Sequence, residues 1–175
     1  MNTYQTSLWY FGLILFIGYL IESNAEPKPN YRPIEIIILD RLNLMPEVAK
    51  IKWNKKLPIE DLERERTLIR TLIEDVPMQH QSNIKKTIRA QIHASKIIQK
   101  ELFELWSSEG YEYFEITRNL EKDLRPKITS LTNELIATSL YHCKSNHSSL
   151  PELRKLMVRP FQIAYEGINC ITKEK

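Results

Sequence analysis

RLNLMPEVAKIKWNKKLPIEDLERE, residues 41–65, reads as the end of one helix, a short turn and the start of a second. Arg41 and Lys52 stand about three helical turns apart, so an unbroken helix puts both on one face. After the NKKLP turn, Asp61 occupies a helix N-cap position, with Arg64 and Glu65 in the first turn beyond it. Lysines and arginines on amphipathic helices usually mark the solvated side. Here the company differs. Lys52 lies between Ile51 and Trp53, and Arg41 follows an isoleucine-rich run and precedes Leu42. Cations set among core-type residues suggest an anion held inside the protein.

Helical spacing extends on both sides of this stretch. Ile34, Ile37, Ile38, Leu42, Met45, Val48, Ala49 and Ile51 form an apolar stripe, giving a first helix from Ile34 to Trp53. The IEIII run could be a strand on its own, but its continuation at helical period argues for helix. Pro46 lacks the N–H that a helix interior needs and predicts a kink or break. A full break would remove the periodic basis for placing Arg41 and Lys52 on one face. A second helix is expected from about Leu62 to Asp75, before Pro77. A third runs from about Gln81 to Trp106, with Ile84, Ile88, Ile92, Ile97, Ile98, Leu102 and Leu105 as its apolar face, and ends at the SSEG of 107–110. A fourth covers roughly Leu120 to His142, with Pro126 tolerable near its start. After SNHSSLP a fifth extends from about Glu152 to Ile168. The proline-rich EPKPNYRP, 26–33, is an extended lead-in. The fold class is all-α, a bundle of about five helices.

A chain of 175 residues fits one domain that can bury its own core, and its four glycines favour helix over sheet. The net charge of +3 mixes both signs without a basic block, which argues against a nucleic-acid partner. The apolar run Leu8–Ile21 is short for a membrane span and precedes small residues at Ser23 and Ala25. Residues 1–25 therefore read as a cleaved secretory signal, although MNTYQTS carries no Lys or Arg; an uncleaved anchor is the lesser reading. Residues 26–175 then form a single secreted domain, periplasmic or extracellular, with no membrane association after cleavage. Secretion places Cys143 and Cys170 in an oxidising compartment, where one disulfide is expected. It would close a loop of about 28 residues, worth on the order of 3 kcal/mol. His142, Cys143, His147 and Cys170 lack a standard zinc spacing, so no metal is expected.

On the third helix Gln91, Ser95 and Gln99 are spaced by four and share a face, with Lys96 and Arg89 near it. Periodicity does not decide which of these look inward, and Arg125, beside Pro126, has the same ambiguity. The residues alone give a helical bundle with inward cations; they do not name the anion.

The motifs RL-x4-EVA-x-x-KW, LPIED-x-x-RE and QI-x-AS-x-x-IQ resemble the chorismate mutases of the all-α AroQ class. The nearest likeness is to the secreted gamma-type subclass with a C-terminal extension. The match is close over residues 34–106, the catalytic core helices. It is loose over 107–175, an extension that would complete the site. What the resemblance implies is an isomerase, converting chorismate to prephenate by a [3,3] rearrangement without cofactor, metal or covalent intermediate. In that reading Arg41, Arg64 and Arg125 hold the substrate's carboxylates, and Ser95 touches one of them. Lys52 and Gln99 donate to the breaking ether oxygen, and Glu65 accepts from the ring hydroxyl. Asp61 matches the motif as well, although helix capping is enough to explain it. The resemblance also implies a homodimer with each site inside one chain. The alternative is a non-catalytic secreted helical binding module; the presence of a suitable residue in every expected role favours the enzyme.

Overall fold

In the computed structural model, which describes residues 31–116, 118–145 and 158–168, the isoleucine-rich run forms helix α1, Ile34–Leu42. Ile37 and Ile38 are fully enclosed, burial worth roughly 1.5–3 kcal/mol for each. The chain divides into Met1–Tyr31 and Arg32–Lys175, and the described architecture belongs to the second unit. The expected signal segment and the Cys143–Cys170 pairing lie outside the described residues, as does all of 146–157 with the start of the fifth expected helix.

The first expected helix is divided at Asn43–Leu44, with α2 running Met45–Asn54 and Pro46 in its first turn. Pro46 cannot donate to the carbonyl one turn back, so the ladder lapses just ahead of it. The break is shallow: Asn43 and Leu44 keep right-handed helical angles, and Val48 N–H still reaches Leu44 O at 3.2 Å. Helix α3 spans Leu62–Ile73 and α4 Met78–Ser108. A π-helical turn, Leu120–Leu124, leads into α5, Arg125–Ser145, and α6 covers Arg159–Glu166. No strand occurs among the described residues, and the fold is the expected all-α bundle.

Helix α4, about 46 Å long at 1.5 Å per residue, is the axis against which α2, α3, α5 and α6 pack. It ends where Gly110 takes φ +72°, with Tyr111 N–H donating to Trp106 O at 2.9 Å, a Schellman closure that a side chain would strain. Its buried face is more polar than the expected stripe. Thr87, Gln91, Ser95 and Gln99 are buried beside Ile84, Ile88 and Ala94, whereas Leu105 is 47% exposed. Helix α1 packs on α5 and α6, and Leu42, Ala94, Leu135 and Phe161 meet at the centre of the resulting core. At Gly167 a Cβ would stand 2.1 Å from Ala90 Cβ, so only glycine lets the end of α6 approach α4 this closely.

Candidate active site

Arg41, at the end of α1, is 3% exposed. Its Nε donates to Thr132 Oγ1 at 3.2 Å, and its Nη1 to Gln91 O at 3.0 Å and Ser95 Oγ at 2.8 Å. Nη2 has no partner among the described residues, and no carboxylate there pairs with the guanidinium. Burial alone pushes its pKa down from the ordinary arginine value to about 10. An arginine buried without a counter-ion is costly, and its cost is recovered when an anion arrives.

The cavity beside it holds about 360 Å³. Its lining brings together all eight candidates, Arg41, Lys52, Asp61, Arg64, Glu65, Ser95, Gln99 and Arg125. Arg41 and Lys52 still share a side because the break at 43–44 leaves the helical path nearly intact. On α4 the four-residue spacing carries Gln91, Ser95 and Gln99 inward together, while Arg89 faces solvent. Gln91 itself holds α6, its Nε2 donating to Ala164 O at 2.9 Å, and does not line the cavity.

Lys52 Nζ donates to Ile59 O at 2.7 Å, which ties the turn after α2 and leaves two N–H donors. Burial lowers its pKa, and Arg125 and Arg64 lower it further; Asp61 and Glu65 oppose them. Gln99 Nε2 donates to Ser95 O at 2.9 Å and lies 3.9 Å from Met45 Sδ, while its Oε1 is buried without a partner among the described residues. One amide N–H is thus held and the other meets only a weak acceptor.

Asp61 caps α3, Oδ1 accepting from Arg64 N–H at 3.1 Å, and so turns Arg64 and Glu65 toward the cavity. Arg125 pairs with Glu121 one turn back, at the junction of the π-helical turn and α5. Burial lowers the Arg125 pKa, Arg64 adds to this, and Asp61 opposes it. Arg64 and Arg125 also border an adjoining open groove with Thr129, Ser130 and Asn133, which gives the cavity a cationic mouth. Glu65 is held by Lys96 Nζ at 3.2 Å.

Thr132, Glu121 and Lys96 orient these candidates, yet none has a singled-out role in the sequence. Thr132 and Glu121 meet their partners only through the turn into α5. Lys96 was visible as a neighbour of the polar face, but its ion pair crosses between helices. What the arrangement offers chemically is a row of fixed cations and amide donors around a space for a small anion, with the carboxylates of Asp61, Glu65 and Glu121 among them. Among the described residues no cluster of His, Cys, Asp or Glu could hold a metal ion, and no helix is long and apolar enough to cross a membrane.

No protein-family model matches the chain, and no curated protein sequence matches it. Solved structures do. A secreted chorismate mutase from Yersinia pestis is similar at a TM-score of 0.62 and 22% identity, over 80% of this chain and 97% of that one. A chorismate mutase from Burkholderia thailandensis is similar at a TM-score of 0.54 and 25% identity, over 78% of this chain and 92% of that one. The bundle is therefore the all-α fold of chorismate mutase structures.

Proposed function

We propose that the protein is a chorismate mutase that rearranges chorismate to prephenate, with the cavity beside Arg41 as its active site. The observation that carries the reading is Arg41, buried without a counter-ion and opening on a cavity that Lys52, Arg64 and Arg125 share. Five cations, Arg41, Lys52, Arg64, Lys96 and Arg125, outnumber the carboxylates of Asp61, Glu65 and Glu121 in the lining, which suits a compact dianion, and planar guanidinium forks suit carboxylates. Arg41, Arg64 and Arg125 bind the two carboxylates, with Ser95 beside one of them; Glu65 accepts from the ring hydroxyl.

A unimolecular rearrangement needs no nucleophile or base. It needs the flexible substrate held in its reactive conformer, and charge on the ether oxygen stabilised as the C–O bond stretches. The free N–H groups of Lys52 and the weakly engaged amide N–H of Gln99 supply that stabilisation. Fixed donors aimed at developing charge bind the transition state more strongly than the ground state, and one such donor is worth on the order of 3–4 kcal/mol. The chemistry proceeds without cofactor or metal.

The same reading takes the chain as a gamma-type secreted enzyme. Residues 1–25 are its export signal, 34–106 carry the catalytic helices, and 107–175 complete the site. The mature form is a homodimer with a Cys143–Cys170 disulfide. The test is direct: purified protein is mixed with chorismate and its loss followed by absorbance. Binding of chorismate without turnover would instead identify a non-catalytic binding module.

A further inference from the structure

Helix α3 carries Asp61, Arg64 and Glu65 into the site, yet its apolar grip on α4 lies at its far end. Leu72 and Val76 pack with Ile84 and Ile88 there, and Leu68 and Ile69 extend that contact. At the near end Leu62 is 56% exposed, and among the described residues no side chain of the first turn belongs to a buried apolar cluster. What spans the gap is Lys96. Its Nζ meets Glu60 Oε1 at 3.0 Å and Glu65 Oε2 at 3.2 Å. Lys96 and Glu65 side chains are each 22% exposed, so solvent and salt screen this contact less than an open surface pair. Both residues line the cavity on one side and an outer groove of about 410 Å³ on the other, which makes the pair part of the wall between them.

We propose that Lys96 is a positioning residue: by bridging Glu60 and Glu65 it holds the first turn of α3, and the site groups on it, against α4. Two of its three N–H donors are committed to carboxylates, so it does not serve as a further substrate cation in the manner of Arg41. Burial lowers its pKa, but Glu60 and Glu65 outweigh that and leave it raised, which keeps the bridge charged through the neutral range. Glu65 Oε1 remains for the ring hydroxyl. The consequence for turnover rests on the chorismate reading; the tether itself does not.

The experiment compares Lys96→Met, which keeps the aliphatic stem, with Lys96→Arg, which can still bridge both carboxylates. Lys96→Met should raise KM roughly tenfold with kcat changed less than about threefold, because the α3 groups bind substrate in ground and transition states alike. Lys96→Arg should recover most of the loss. Amide exchange at residues 65–68 should accelerate roughly tenfold in Lys96→Met and stay unchanged along the centre of α4. Unchanged KM with unchanged exchange would overturn the tether. A loss confined to kcat would place Lys96 on the reacting atoms and overturn the positioning role. Wild-type protein that does not turn chorismate over would remove the proposed function, and the exchange result would then decide the tether alone.

Discussion

A lysine serves this site only while it is charged, and at Lys52 the fold works against the charge. Burial first, then Arg125 and Arg64, lower its pKa, with Asp61 and Glu65 opposing. The alkaline limb of kcat/KM, which reports the free enzyme, should therefore fall at lower pH than an ordinary lysine would give. A bound dianion favours the charged form, so the limb of kcat should lie at higher pH than that of kcat/KM. Both limbs are read from one series of steady-state rates; identical positions would remove Lys52 from contact with the substrate's charge. Lys52→Ala should lose most turnover while circular dichroism stays unchanged. Gln99 gives the opposite case, a neutral amide that does not titrate. Gln99→Glu can donate only when protonated, so it should work best in acid and lose activity as pH rises. A flat, wild-type profile for that variant between about pH 4.5 and 8.5 would show that residue 99 does not reach the ether oxygen. Arg41 and Lys52 were legible because each sits among residues that must be buried. Thr132 and Glu121, which orient Arg41 and Arg125, were not, because an isolated threonine or glutamate has the same pattern on any wet face.

Local chemistry made some elements readable and left others open. Asp61 ahead of a helical pattern is a cap signal, and the cap forms, with Arg64 N–H bonded to its carboxylate. Because Asp61 also lines the cavity, its capping and its charge can be separated by substitution. Asp61→Ala should cost about 1 kcal/mol of stability, whereas Asp61→Asn keeps the cap and most of that stability. Both variants remove a carboxylate that supports the charge of Lys52, so both should move the alkaline limb of kcat/KM to lower pH. Thermal melts beside the pH series check the two effects; an Asp61→Asn variant as unstable as Asp61→Ala would mean that the charge, not the cap, stabilises α3. Two prolines show the limit of such reading. Pro46 and Pro126 each forbid one hydrogen bond, but the sequence does not say how the neighbouring turn absorbs the loss. At Pro46 the ladder lapses for two residues with helical angles retained. Ahead of Pro126 the turn widens, Arg125 N–H reaching Leu120 O, under a cap in which Asn119 Oδ1 accepts from Glu121 and Lys122 N–H. The side that Arg125 presents depends on that widened turn, which no periodicity rule contains.

Across the whole molecule the site is held at a cost in stability. The Arg41 guanidinium pKa falls to about 10 in the folded protein, well below that of the unperturbed group. A base with a depressed folded pKa disfavours folding while it is charged in both states, here at every pH below about 10. As pH rises past that value the folded state sheds the proton first, the unfolded chain binds more protons, and this group's contribution to stability rises. At neutral pH the burden is therefore fully present, on the order of 3 kcal/mol from the size of the shift. Removing the charge should relieve it. Thr132 Oγ1 keeps its bond to Ile128 O, and Ser95 Oγ its bond to Gln91 O, so Arg41→Met leaves neither hydroxyl stranded. The free Arg41→Met protein should be as stable as wild type or more so, by up to about 3 kcal/mol, since apolar replacement of an uncompensated buried charge is often stabilising. Ligand should reverse the order. A stable dicarboxylate that mimics the compact substrate conformer binds only the folded state, so at 100 times its Kd it should stabilise wild type by about 2.7 kcal/mol. The same ligand concentration should leave Arg41→Met nearly unmoved. Denaturant titrations of both proteins, with and without the dicarboxylate, measure all four stabilities. An Arg41→Met variant that is markedly less stable than wild type without ligand, yet gains as much from the ligand, would mean that Arg41 is a structural arginine and that the anion is held elsewhere.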